Sequence, residues 1–191
     1  NSFNGSIQLS NPAISDLTGI EAFTALTELK FWEVGNITSL DVSNNTALTR
    51  LDCGWNQLTS LDLSNNTALV ELLCDYNQLT SLYISNNTAL KYLLCNENQL
   101  TALDVSQNTE LMNLHCSGNQ LTCLNVRNDN NSNFLACQAL YNPNLTCIEV
   151  DNVAWSDANW TGIDAQTSFS TDCNNACSTV VGIEELSNTP K

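Results

Sequence analysis

Cysteine is the residue type with the most chemistry to offer in this chain, and there are nine among 191 residues. A thiol can hold a metal, exchange with disulfides, attack an electrophile or fill a core. Spacing sorts the nine. Cys53, Cys74, Cys95 and Cys116 stand 21 residues apart, and Cys137 falls one interval further on. Such a column points to one place inside a coil that turns once per 21 residues, and a period in this range marks repeat architectures. No histidine sits among the five, and a dry apolar column is a poor metal site. Neighbouring turns bring their backbones within disulfide reach, yet inward side chains in register need not meet the torsion a disulfide requires. The five therefore read as a structural core ladder of thiols, small hydrophobes standing in place of leucine. Cys123, Cys147, Cys173 and Cys177 lie outside the ladder. An even number suggests two disulfides, with three connectivities open. One of them joins Cys123 to Cys147, which share a column on adjacent turns, and Cys173 to Cys177.

The other reactive residue types are arranged less suggestively. His115 is the only histidine. A repeat that holds it on an open face offers it no Ser–His–Asp or Cys–His partners. Carboxylates are plentiful and converge nowhere. These observations imply a protein that is not an enzyme, needs no cofactor and holds no metal. A second acidic column, Asp41, Asp62, Tyr83, Asp104, Asn125 and Glu149, could invite a cation. Its recurring context, Asp followed by an apolar residue and Ser-Asn-Asn, favours turn chemistry, with each side chain bonding nearby amides.

What must position these residues is the repeat itself. Units starting at Leu48, Leu69 and Leu90 read L-x-x-L-x-C-x-x-N-x-L-x-x-L, and a fourth starts at Leu111. An imperfect unit starts at Leu26 with Phe31 in the cysteine place; a late one has Leu135 and Cys137. Each unit is nearly doubled, since Leu48, Leu51, Cys53 and Asn56 recur ten residues later as Leu58, Leu61, Leu63 and Asn66. The alternation in Leu51-Asp52-Cys53 and in Leu61-Asp62-Leu63 predicts a short strand in each half. The fold class expected is a repeat solenoid with short parallel β-strands on both sides of each turn, low curvature and successive turns about 4.8 Å apart. Two asparagine columns, Asn56/Asn77/Asn98/Asn119 and Asn45/Asn66/Asn87/Asn108, would satisfy backbone groups that the turns leave unpaired. The chain divides into a lead-in over 1–25, an array of about six units over 26–150, a cap over 151–177 and a tail over 178–191.

This register places Trp32, Trp55 and Tyr76 on the outside of the first strand, flanked by Tyr92 and by Asp52, Asp75 and Glu97. The core does not need large apolar groups there, and such a patch commonly marks an interaction surface. Aromatic faces beside carboxylates and amides also suit sugar rings. The plainer reading is that neighbouring turns cover one another. Of eight Asn-x-Ser/Thr sequons, Asn44, Asn65 and Asn86 recur with the repeat and would carry a row of sugars if the source glycosylates.

Five Lys and Arg against twenty Asp and Glu give a formal charge of −15. That surface repels phosphate backbones, so nucleic acid is not an expected partner. No apolar run approaches the roughly 20 residues of a membrane span, so no membrane insertion is expected. Abundant asparagine and scarce lysine suit a secreted, extracellular or cell-surface protein. The chain begins at Asn1 and reads as a processed or trimmed product.

L-x-x-L-x-C-x-x-N-x-L resembles the signature segment of leucine-rich repeats. The ladder and the doubled 21-residue unit resemble the internalin-like class of bacterial secreted and surface proteins. Ile14 to Leu26 is similar to their N-terminal lead-in. Leu145 to Cys173 resembles the closing cap of secreted proteins of Bacteroidetes-type bacteria, and this resemblance implies Cys147–Cys173 and, with it, Cys123–Cys177. Gly182 to Lys191 resembles the linker that precedes a type IX sorting domain. Related chains often open on an acidic, calcium-loop-like segment, whereas Asn1 to Ile7 has no carboxylate, so no calcium is expected there. The resemblance implies a protein- or glycan-binding adhesion module at the cell surface. The alternative is a structural subunit that assembles with copies of itself into a fibre or sheath.

Overall fold

The computed structural model describes residues 5–174 and Cys177. It is a parallel β-solenoid of about eight turns. One long side carries a seven-stranded parallel sheet. Its strands, in spatial order, are β1 (Ser6–Gln8), β2 (Glu28–Lys30), β3 (Arg50–Asp52), β4 (Glu71–Leu73), β5 (Tyr92–Leu94), β7 (Asn113–His115) and β9 (Ala136–Gln138). The other side carries four strands: β6 (Ala102–Asp104), β8 (Cys123–Asn125), β10 (Cys147–Glu149) and β11 (Ser168–Ser170). Three residues suffice for each strand because only the middle one must face inward, and Leu29, Leu51, Leu72, Leu93 and Leu114 do so in register. The lead-in and the cap join the same ladders, through β1 at one end and β11 at the other. The predicted tail over 178–191, with its sorting-linker resemblance, lies outside the described residues.

The second side is paired only in its C-terminal half. The matching segments around Leu61 and Leu82 bury their leucines but form no strand. Both asparagine columns do what their spacing implies. Asn77 donates to the carbonyls of Cys53 (3.0 Å) and Cys74 (3.2 Å), and its Oδ1 accepts from the Leu58 amide at 2.9 Å. Asn98 and Asn119 repeat the pattern one and two turns on. The second column donates likewise; Asn87 bonds the carbonyls of Leu63 and Asn66. Its amide oxygens, on Asn45, Asn66, Asn87 and Asn108, are buried and accept nothing.

One reading of the ladder needs correction. Cys137 pairs with Leu114 and so takes the inward leucine place of its strand; Ala139 takes the place of a ladder cysteine. The interval from Leu114 is 23 residues rather than 21, because a short 3-10 turn at Asn131–Asn133 absorbs two more. Leu135 shifts with it: Phe134 is buried, while Leu135 is exposed on the surface. The ladder thus has four thiols, with Cys137 a buried thiol beside it. Burial raises all five, Cys116 to about 12, so none is poised as a nucleophile.

The C-terminal end of the core is covered by α1 (Val153–Asn159), whose cap residue Asn152 accepts from the Trp155 amide. Trp160 is buried there among Phe134, Trp155 and Phe169, with ring centroids 5.2–5.8 Å apart. Two disulfides close the cap, Cys123–Cys177 and Cys147–Cys173, with Cα separations of 5.5 and 5.8 Å. This is the connectivity the cap resemblance implies, and the Cys123–Cys147 alternative is not formed. No described helix is long and apolar enough to cross a membrane.

Candidate interaction face

From β2 onward, each turn leaves its strand of the seven-stranded sheet through a corner with one residue in the left-handed region. That residue is Glu33, Trp55, Tyr76, Glu97 or Tyr141, with φ between 52° and 60°, and Gly118 at 67°. Except after Glu33, where Val34 follows, the next residue is an asparagine that closes the corner, as in Trp55-Asn56, Tyr76-Asn77 and Tyr141-Asn142. Glycine adopts this conformation freely, whereas a bulky residue pays roughly 1–3 kcal/mol. Trp55 and Tyr76 occupy it while 44% and 42% exposed. Their rings stack with centroids 3.9 Å apart and planes 21° from parallel.

Trp32 belongs to the neighbouring column, one residue earlier in the turn, with Gly54, Asp75, Asn96 and Ser117. It lies across Gly54, where a β-carbon would stand 3.1 Å from both the Trp32 ring and the Asp75 carboxylate. The stripe therefore runs diagonally across two columns. Tyr92 is half-buried in β5, beside Glu71 and Asn113. Tyr141 extends the corner column but its 23-residue offset hides it; the signal that marks it is the aromatic-Asn pair.

The carboxylates divide by partner. Arg50 bridges Glu71 and reaches Asp52 at 3.7 Å, and Lys30 pairs with Glu28 at 2.6 Å. Burial raises the Asp52 carboxyl despite Arg50, and one of its oxygens is buried without a hydrogen bond. Burial also raises Asp75, with Asp52 adding to the effect, and Asp75 forms no ion pair among the described residues. Glu97 is exposed and folds its carboxylate over Gly118, in space that a β-carbon would fill. His115 is lowered by burial.

The second-side aspartates are committed to turns. Asp41, Asp62 and Asp104 each accept from the amide two residues on at 2.9 Å, and Asn125 does the same at 3.0 Å. No cluster of metal ligands occurs among the described residues. Asn44, Asn65 and Asn86 are exposed in a row on this side, and the side-chain amides of Asn65 and Asn86 donate to the Ser43 and Ser64 carbonyls.

The model for the leucine-rich repeat domain of the endo-β-N-acetylglucosaminidase EndoS matches residues 1–161. The chain belongs to this leucine-rich repeat family. Among solved structures, this repeat domain is similar to internalin C2 of Listeria monocytogenes at 17% identity and a TM-score of 0.58, covering 86% of this chain and 77% of that one. The leucine-rich repeat domain of APL1B is 20% identical with a TM-score of 0.58, over 83% of this chain. The cysteine-ladder domain of InlJ from Listeria monocytogenes is 24% identical with a TM-score of 0.49, over 76% of this chain. The repeat domain spans 49% of InlJ and 54% of APL1B. No curated protein matches it. The likenesses to internalin C2 and APL1B are of fold.

Proposed function

We propose that this repeat domain is a non-enzymatic extracellular recognition module that adheres to a protein or glycan at the cell surface through the face bearing Trp32, Trp55 and Tyr76. Tyr92, Asp52, Asp75 and Glu97 frame that face. The observation that carries the reading is the pair of exposed, stacked rings at corners where glycine would be less strained. Backbone strain held at exposed aromatic positions is a pointer to function, and a solenoid supplies a rigid surface to present them. The five buried thiols offer no competing chemistry. The disulfides favour an oxidising, extracellular setting. The Asn44, Asn65 and Asn86 row lies on the second side, so sugars there would leave the aromatic face open.

The fibre alternative asks for two ends able to stack. The C-terminal end is covered by α1 and two disulfides, which favours recognition over head-to-tail growth. The test is a glycan array and a cell-surface binding assay run with wild type and the Trp55→Ala/Tyr76→Ala variant. Loss of the stacked anchors should weaken binding by about tenfold or more, as for aromatic hot spots. Identical profiles in both assays would reject this face.

A further inference from the structure

We propose that the partner of this face is a basic protein segment, one of whose arginine or lysine side chains seats on the free side of the Tyr76 ring between the Asp75 and Glu97 carboxylates. The inference rests on the recognition reading above and names its partner class.

Tyr76 has one ring face against Trp55, one turn back. The other looks along the same column toward the next turn, where Glu97 stands. Glu97 does not fill that space. Its carboxylate leans away over Gly118, which it can do only because Gly118 has no side chain. Tyr76 is thereby left 42% exposed. The Asp75 carboxylate, half-buried and without an ion pair among the described residues, lies over Gly54, one turn back from the slot. Lys30 and Arg50 are engaged by Glu28, Glu71 and Asp52 nearer the N-terminal end of this face. An aromatic face with uncompensated carboxylates around it attracts a cation through the ring quadrupole and through charge together. A guanidinium fits best, being planar and weakly hydrated. The overall charge of −15 steers such a partner toward the domain and repels an acidic one. A neutral sugar could stack on Tyr76 and donate hydroxyl hydrogen bonds to the carboxylates, but only a cation also compensates their charge.

The probe is a synthetic peptide of alternating glycine and arginine, with a citrulline analogue as its neutral isostere, titrated by calorimetry against the whole chain. Wild type should bind the arginine peptide and discriminate against citrulline. Asp75→Asn with Glu97→Gln, and separately Tyr76→Leu, should each weaken binding by about tenfold. Asp62→Asn with Asp104→Asn removes the same charge from the other side. Asn125 shows that asparagine keeps the turn bond there, so this variant should bind within about twofold of wild type. Circular dichroism checks that every variant is folded. If the remote pair weakens binding as much as the face pair, or if citrulline binds equally, the attraction is bulk charge and the inference falls. If a glycan or cell surface is bound in a Trp55-dependent way while the arginine peptide is not, the recognition face stands and its cationic partner falls. If no binding depends on Trp55 or Tyr76, both fall.

Discussion

Aspartate behaves oppositely on the two long sides of this solenoid. On the second side Asp41 and Asp62 are exposed, accept hydrogen bonds from Ser43 and Ser64, and are lowered by them. On the first side Asp52 and Asp75 are half-buried and raised by burial. The second side spends its aspartates on its own turns. The first side leaves carboxylates and aromatic rings without sufficient partners of their own, in a chain whose repeat could have supplied asparagine or glycine at each position. The two halves of each repeat are thus distinguished by their outward carboxylates, which turn amides satisfy on the second side and burial penalises on the first.

The two sides are also fastened differently, and disulfide reduction should separate them most. Cys123 and Cys147 lie in β8 and β10 of the four-stranded sheet, whereas the seven-stranded sheet contains no cross-link. Removing native disulfides from a small domain typically lowers stability by about 2–5 kcal/mol. Hydrogen exchange after reduction should show protection lost first across β8 and β10, with β3 to β5 still protected. Simultaneous loss from both sheets would show one cooperative unit and erase the distinction.

A smaller effect sharpens the same comparison. Asn77 bonds three carbonyls and accepts an amide, while Asn87 bonds two carbonyls and its oxygen accepts nothing. Asn77→Ala strands more buried groups, so it should lower stability by about 3 kcal/mol, and Asn87→Ala by about 1–2 kcal/mol. Urea unfolding of the two variants measures both. Equal losses would mean that the first-side corners are no more dependent on their asparagine than the second-side ones.

Periodicity made most of this architecture readable. Inward leucine, ladder cysteine and buried asparagine each recur every 21 residues because each is demanded by the same point of every turn. The reading failed where the period failed. At Cys137 two inserted residues moved the register, and arithmetic alone placed a strand-centre residue in the ladder. The strand at Ser6–Gln8 has no leucine of the repeat type and was invisible. The outer face was legible in its residues but not in its geometry. Trp32 and Trp55 look equivalent as outward aromatics, yet they belong to different columns, and only the backbone conformation reveals that Trp55 and Tyr76 sit at strained corners. Which carboxylates lack partners could not be read at all, because that depends on where Arg50 and Lys30 point.

The pH dependence of stability gives the finest test of the two aspartate environments. A carboxyl lowered in the folded state stabilises it above the unfolded value of 3.8, and that stabilisation is lost as pH falls through the folded value. Asp62 should follow this course. A carboxyl raised in the folded state does the reverse: its ionisation opposes folding at neutral pH, and protonation relieves this as pH falls through the raised value, above 3.8. Asp75 should therefore make the wild type gain stability on mild acidification. His115, lowered by burial, works against folding in part of the same range, so the informative quantity is the difference between wild type and Asp75→Asn. That difference should favour the variant at pH 7 and shrink toward pH 4, while the Asp62→Asn difference should change only below 3.8. If the two difference curves coincide, the carboxylates of the aromatic face are as well solvated as those of the turns, and the asymmetry between the two sides reduces to shape alone.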